Sequence, residues 1–147
     1  ISKLVLVSSV GVKFSNREER DFADLFYLPD IEAFPILFAD PKRYAPDYAS
    51  MSSSQLEDLA RERQMFAHYG WRPYLHNPGL RRWLHRVDLP TLVLWGEADR
   101  MAKPAYGRSL ASSLPAAELV LIPGAGHYPE IEQPDAVIRA IGAFAGK

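Results

Sequence analysis

Three short runs of apolar residues, each the length of a buried strand, dominate the pattern of this sequence. The runs are Lys3–Ser8, Thr91–Trp95 and Leu119–Ile122, and none shows strict alternation with polar residues. A continuous apolar run is typical of a strand covered on both faces, as in a parallel sheet. Between the last two runs, Pro104–Leu114 has apolar positions at helical spacing and a proline near its first turn. The pattern therefore predicts a right-handed βαβ unit.

The segment after Pro134 predicts a terminal amphipathic helix lying on the sheet. Its apolar stripe is expected to comprise Val137, Ile138, Ile141, Phe144 and Ala145.

Residues 14–86 have a different character, because repeated prolines break the helix-like stretches and most of the aromatic residues fall here. The clearest helix is predicted over Ser54–Tyr69, where Ser54 and Glu57 have the spacing of a capping box. A helical, aromatic-rich insertion between two parallel strands indicates a cap over a pocket. We expect most of its aromatic side chains to pack the small core of the insertion itself.

Composition excludes several classes of function. The chain has 147 residues, about one domain, and its 17 basic and 18 acidic side chains are intermixed and give a net charge of −1. A nucleic-acid footprint needs a clustered basic face, and a membrane surface needs a polybasic patch, so neither partner is expected. No apolar run approaches the roughly 20 residues that span a bilayer. Cysteine is absent, which excludes disulfides and thiol nucleophiles and fits a cytoplasmic location.

Two residues with catalytic chemistry each follow one of the apolar runs. Asp99 comes after Thr91–Trp95, and His127 comes after Leu119–Ile122 within a loop that contains Gly124 and Gly126. Ligands bind outside the carboxyl ends of parallel strands, so these two loops are expected to be neighbours at a site. An acid followed by a histidine in this order is the second half of a Ser-Asp-His relay. Taken singly, Asp99 is a common turn or capping residue, and His127 could simply bond a backbone carbonyl.

The other polar candidates are weaker. Glu97 is interpreted as a turn residue or a partner for Arg100. No metal-binding spacing occurs among the remaining histidines, and no cofactor or metal is expected. Ser8 and Ser9 end the first strand, but neither lies in a glycine-flanked elbow, and the whole chain lacks Gly-x-Ser-x-Gly. The remaining histidines are His68, His76 and His85.

Three stretches in this order resemble the C-terminal part of the α/β-hydrolase superfamily. They are the run from Pro90 through Trp95-Gly-Glu-Ala-Asp99-Arg, then Ile122-Pro-Gly-Ala-Gly-His127, then Glu132-Gln-Pro134. The resemblance implies an α/β fold. It corresponds to a C-terminal fragment with about three parallel strands, flanking helices and a helical cap insertion. Residues 1–13 and 87–147 would form the core fragment, and residues 14–86 the cap. By that likeness Asp99 is the catalytic acid and His127 the general base.

The same resemblance implies that the nucleophile elbow and oxyanion-hole loop come before the point where this chain begins. The chain opens at Ile1, close to a strand, so we expect a fragment that is inactive alone. The substrate is expected to be a small apolar ester or a compound cleaved at a C–C bond. The alternatives are a dehalogenase or epoxide-hydrolase type of member with an Asp nucleophile, and a non-catalytic binding module. Self-association is expected through the exposed edge of Lys3–Ser8.

Overall fold

The computed structural model describes residues 1–146 and contains three strands, six α-helices and two 3₁₀ turns within that range. The strands are β1 (Leu4–Val7), β2 (Thr91–Gly96) and β3 (Ala117–Ile122). The α-helices, in chain order, are α1 (Asp30–Leu37), α2 (Pro41–Tyr44), α3 (Ser53–Gly70), α4 (Pro104–Ser112), α5 (Pro129–Glu132) and α6 (Pro134–Ala145). The 3₁₀ turns are Tyr48–Ser50 and Leu80–Arg86.

The strands form one parallel sheet, as the apolar runs predicted, and their order in the sheet is β1-β2-β3. In this register Leu4 is opposite Thr91, and Thr91 is opposite Ala117. β2 lies between the other two strands and is buried along its whole length. Its uninterrupted apolar sequence follows from this position, because both of its faces are covered.

Alternate side chains of β2 build the two layers of the core. Val93 and Trp95 pack with residues of α4 and of the segment between β1 and β2. Leu92 and Leu94 pack on the opposite face with Val137 and other residues of α6. The sheet is therefore sandwiched, and its carboxyl edge is left to the loops that follow the strands.

Helix α4 lies unusually close to the sheet at Gly107. A Cβ atom at this position would come within 2.7 Å of the Trp95 ring. The indole Nε1 of Trp95 also donates a hydrogen bond to the Ala102 carbonyl, at 2.8 Å, just before the helix begins. The large side chain of Trp95 and the absent one of Gly107 thus set the distance between α4 and β2.

Two details of the helix predictions are wrong, namely the residues of the capping box in α3 and the width of the apolar stripe of α6. The capping box of α3 is formed by Ser52 and Gln55 rather than by Ser54 and Glu57, because Ser52 is the last residue with extended backbone before the helix. In α6, Val137 and Phe144 are buried.

Ile138, by contrast, is 66% exposed, and Ala145 also faces solvent. The apolar stripe of α6 is therefore narrower than predicted. It covers only the sheet face under Leu92 and Leu94.

Residues 14–86 lie between β1 and β2, and we call them the inserted segment. The chain just before this segment is attached to the core by Tyr106, whose hydroxyl accepts from the Val12 amide at 3.0 Å and donates to the Val12 carbonyl at 2.8 Å. Burial raises the pKa of Tyr106 to about 12. The long helix α3 is different, since none of its residues is buried. Within residues 1–146 no helix has both the length and the apolar character needed to cross a bilayer.

Candidate active site

Asp99 lies in the turn that leaves β2, and its carboxylate is held from two sides. Asp99 is only 2% exposed. Oδ1 accepts hydrogen bonds from the backbone amides of Met101 at 2.9 Å and Ala102 at 3.0 Å. This is the local capping geometry that Asp commonly adopts in a turn. It occupies one oxygen, fixes the orientation of the carboxylate and leaves Oδ2 free for another donor.

His127 lies in the loop after β3, and this loop packs directly on the turn that carries Asp99. The amide of Ala98 donates to the carbonyl of Ala125 at 2.9 Å. A Cβ atom at Gly96 would lie 1.8 Å from the carbonyl oxygen of Gly126. The two loops can therefore approach this closely only because residue 96 has no side chain.

The expected contact between the two residues is present. Nδ1 of His127 lies 2.9 Å from Oδ2 of Asp99. A carboxylate only accepts hydrogen bonds, so Nδ1 carries the hydrogen and Nε2 keeps its lone pair in the neutral ring. Among residues 1–146 no group forms a hydrogen bond with Nε2. The Asp99 side chain is fully buried, whereas that of His127 remains 12% exposed.

The residues beside His127 connect it to a cavity. The ring of Tyr128 lies 5.4 Å from the imidazole and 5.3 Å from the ring of Phe38, measured between centroids. Burial, followed by the nearby carboxylates of Glu130 and Asp99, raises the pKa of Tyr128. Its phenol therefore stays protonated at neutral pH, and its ring forms part of the cavity wall.

The cavity measures about 540 Å³ and is mostly apolar. Apart from Tyr128 and Ile131, its lining comes from the inserted segment. The apolar lining residues are Leu25, Phe26, Leu28, Ala33, Phe34, Leu37, Phe38, Pro46, Leu59, Phe66 and Ile131. A volume of this size fits a small organic ligand.

One wall of the cavity is charged. Nη2 of Arg63 on α3 donates to both carboxylate oxygens of Asp30, at 2.8 and 2.9 Å, and to the hydroxyl of Tyr48 at 2.7 Å. The hydrogen bond that Arg63 donates to Asp30 is the main reason that the pKa of Arg63 is raised. Glu62 also lines this wall, so the wall carries two carboxylates, those of Asp30 and Glu62, and one guanidinium, that of Arg63.

Glu132 is a residue that the sequence analysis did not select. It is 2% exposed, and its carboxylate accepts hydrogen bonds from the backbone amides of Gly126, Ala39 and Asp40. In the sequence Glu132 stands out only as an acidic residue close behind the histidine loop, in the Glu132-Gln-Pro134 stretch that opens the last helix. That signal is ordinary for the start of a helix.

None of the weaker candidates among the described residues forms a hydrogen bond with the side chains of Asp99 or His127. Nδ1 of His76 is 2.8 Å from the carbonyl oxygen of Tyr74, which is an ordinary structural bond. Glu97 is exposed, and the guanidinium of Arg100 donates to the carbonyl of Pro35 at 3.0 Å rather than pairing with Glu97. Ser8 is buried, with an Oγ that has no hydrogen-bond partner among the described residues.

His68 and His85 lie in the inserted segment, and both are exposed. Residues 1–146 contain no cluster of three or more His, Asp or Glu side chains suited to a metal ion.

Comparison with known proteins identifies the fold and the family. The α/β hydrolase family matches residues 1–140, and the chain belongs to this family. A solved serine hydrolase from the bacterium Cycloclasticus zankles matches 99% of the chain with a TM-score of 0.71 and 19% identity, and the chain spans 55% of it. At that identity the likeness establishes the fold alone.

Two relatives are similar in sequence. The poly(3-hydroxyalkanoate) depolymerase of Ectopseudomonas oleovorans is 31% identical over 117 residues, which are 78% of this chain and 38% of the relative. Esterase YbfF of Escherichia coli is 35% identical over 74 residues, which are 50% of this chain and 29% of the relative. The chain therefore aligns with well under half the length of these relatives.

Proposed function

We propose that this chain supplies the acid and the general base of a hydrolase that uses a Ser-Asp-His type of triad. Asp99 is the acid and His127 is the base. The observation that carries the proposal is the 2.9 Å contact between Nδ1 of His127 and Oδ2 of Asp99, with Nε2 left without a partner in the described chain. Membership of the α/β hydrolase family supports the same assignment.

The chemistry follows from the direction of the hydrogen bonds. Nε2 accepts the proton of a nucleophilic hydroxyl as its oxygen attacks the substrate carbonyl, and the ring becomes an imidazolium. The buried Asp99 carboxylate stabilises that cation and keeps the ring in the correct tautomer. Nε2 then returns the proton to the leaving group. In the second half of the cycle, the same nitrogen accepts a proton from the water that hydrolyses the acyl intermediate.

The nucleophile in this proposal comes from polypeptide outside the 147 residues. The sequence contains no Gly-x-Ser-x-Gly elbow, and the hydroxyl of Ser8 is buried without a hydrogen-bond partner among residues 1–146. We therefore expect the 147-residue chain to be inactive by itself. We expect residues 14–86 to act as a cap, because they provide most of the lining of the cavity that Tyr128, the residue after His127, also lines.

The cavity supports a small, apolar and uncharged substrate. Four phenylalanine rings and several aliphatic side chains line it, and the net charge of its polar wall is negative. A negatively charged substrate would meet like charge there, which is unfavourable. An ester fits best, and the ester and polyester substrates in the names of the two relatives agree with this. Cleavage of a C–C bond next to a carbonyl is the second candidate, because it needs the same acid and base.

Hydrolysis of p-nitrophenyl esters tests the assignment. The 147-residue chain should show no turnover above background. In a longer polypeptide that carries the nucleophile, His127→Ala should lower kcat by about 10⁴-fold or more. His85→Ala, which removes an exposed histidine in the inserted segment, is the matched control and should leave kcat unchanged. Turnover that survives both His127→Ala and Asp99→Ala would contradict the triad.

Substrate charge gives a separate test. We expect p-nitrophenyl butyrate to be hydrolysed with a kcat/KM at least about tenfold above that of p-nitrophenyl glutarate, whose free carboxylate would face Asp30 and Glu62. A tenfold preference corresponds to about 1.4 kcal/mol. The double variant Asp30→Asn, Glu62→Gln should reduce the difference in kcat/KM between the two esters. Equal rates for the two esters in the parent protein would refute an uncharged substrate class.

A further inference from the structure

The buried carboxylate of Glu132 joins two parts of the molecule that lie far apart in the sequence. Oε2 accepts the backbone hydrogen bond of Gly126, the residue directly before His127. Oε1 accepts from the amides of Ala39 at 2.9 Å and Asp40 at 3.0 Å, in the inserted segment. One side chain therefore bonds both the histidine loop and the inserted segment.

The inserted segment is bonded where it forms the cavity wall. Leu37 and Phe38 line the cavity and directly precede the two amides that Glu132 holds. The amide of His127 donates to the carbonyl of Leu37 at 2.7 Å, which makes a second link between the histidine loop and the inserted segment. A Cβ atom at Gly126 would lie 2.4 Å from that carbonyl oxygen, so the loop and the wall are in close backbone contact.

A carboxylate is the only kind of side chain that satisfies this arrangement. All three partners are donors, and a carboxylate carries two oxygens that only accept. Glutamine would accept on one side and present its NH₂ group to a backbone N–H on the other. Because Glu132 is 2% exposed, a donor left unpaired there could not be satisfied by water. The geometry therefore depends on the acid and not merely on a side chain of this size.

We propose that Glu132 is a positioning residue that fixes the position of the His127 ring relative to the cavity wall at Leu37 and Phe38. The proposal rests on the general-base role of His127 proposed above. Glu132 exchanges no proton with the substrate and does not touch it. It keeps Nε2 at a constant distance from the space where the substrate lies, and a shift of about 1 Å in such a distance can cost about 10²-fold in rate.

The first test is Glu132→Gln in the longer polypeptide that carries the nucleophile. We expect kcat to fall by about 10²-fold while KM changes little, because no side chain that lines the cavity is replaced. Glu130→Gln is the matched control, since it removes the same charge from an exposed position in α5. A Glu132→Gln variant with the parent kcat would overturn the proposal, as would a fall in kcat that merely follows a loss of folded protein in circular dichroism.

The second test needs no catalysis and works even where Glu132→Gln does not fold. Amide hydrogen exchange in the unsubstituted chain should show Gly126, Ala39 and Asp40 protected to a similar degree, because one carboxylate holds all three. Glu132→Asp keeps the charge but shortens the reach, and it should raise exchange at all three sites together. Unrelated exchange rates at the three amides would overturn the proposal.

The two proposals fail in different ways. If His127→Ala abolishes turnover and Glu132→Gln does not change it, only the positioning role is wrong. If neither substitution affects turnover, the triad assignment is wrong.

Discussion

The Asp99 carboxylate divides its two oxygens between its own turn and His127. Oδ1 accepts from the amides of Met101 and Ala102, and Oδ2 lies 2.9 Å from Nδ1 of the imidazole. The turn therefore holds the carboxylate in place before it meets the histidine. The capping role and the relay role, which are alternatives from the sequence alone, are compatible in the structure.

This division predicts a specific result for Asp99→Asn. The Oδ1 atom of asparagine can still accept from Met101 and Ala102, so the turn should keep its shape. The NH₂ group would then face Nδ1 and favour the tautomer with its hydrogen on Nε2, which cannot accept a proton. In the longer polypeptide that carries the nucleophile we expect kcat to fall by about 10⁴-fold, with an unchanged circular dichroism spectrum. Glu97→Gln, at an exposed site in the same turn, should have no effect on kcat.

A pair of glycine substitutions tests the packing of α4 on the sheet. Gly107→Ala would bring a methyl group within 2.7 Å of the Trp95 ring, and overpacking of this kind costs about 1–3 kcal/mol in the free energy of unfolding. Gly142→Ala is the matched control in α6, where no atom lies within 4 Å of the added Cβ. It should instead stabilise the chain by about 0.5–1 kcal/mol, because alanine favours a helix. Urea denaturation measures the change in the free energy of unfolding for both variants. Changes of the same sign would contradict the close approach of α4 to the sheet at Gly107.

Tyr106 predicts a pH dependence of stability. Its pKa is about 12 in the folded chain, against an ordinary value of 10.0, because the phenol is buried. Above pH 10 the unfolded chain loses this proton while the folded chain keeps it, so the free energy of unfolding should fall as the pH rises from 10 towards 12. Tyr106→Phe should flatten that decline. At pH 7 the same variant should be less stable by about 1–3 kcal/mol, since the buried amide and carbonyl of Val12 lose their partner.

The open edge of β1 predicts association of the 147-residue chain. Within the described part of the chain β1 pairs only with β2, and the amides of Leu4 and Ser8 point towards that partner. By the period of a strand, the amides of Val5 and Val7 point the other way, as unpaired donors. We expect sedimentation at micromolar concentration to show oligomers. Val5→Pro, which removes one outward donor and leaves the bonds to β2, should reduce them. A parent chain that sediments as a monomer would contradict this prediction.

The contact between Asp99 and His127 could be predicted because two parallel strands joined by one crossover bring the loops after them together. The closeness of the two loops, which depends on the missing side chain of Gly96, could not be predicted from strand order. The buried state of Glu132 could not be predicted in this way. It depends on the amides of Ala39 and Asp40, which the chain brings close only through the path of residues 14–86.

The errors in the helices have a similar origin. Three consecutive serines, Ser52 to Ser54, offer nearly equal capping positions, and only the backbone conformation of Ser52 decides between them. Periodicity placed Ile138 on the apolar stripe of α6, but the width of a stripe is set by how much sheet lies beneath it. Local patterns therefore located these elements correctly, whereas their exact ends and buried faces depended on neighbours that are distant in sequence.

The hydrogen bond from His127 to Leu37 has a consequence for engineering. Replacing residues 14–86 with the equivalent segment of another family member is an attractive way to change substrate range, since the segment leaves and re-enters the sheet between β1 and β2. A graft chosen only for the shape of its cavity is not selected to place a backbone carbonyl at the His127 amide or two backbone amides at the Glu132 carboxylate. The short stretch from Leu37 to Asp40 should therefore stay with the recipient, because it belongs by function to the histidine loop.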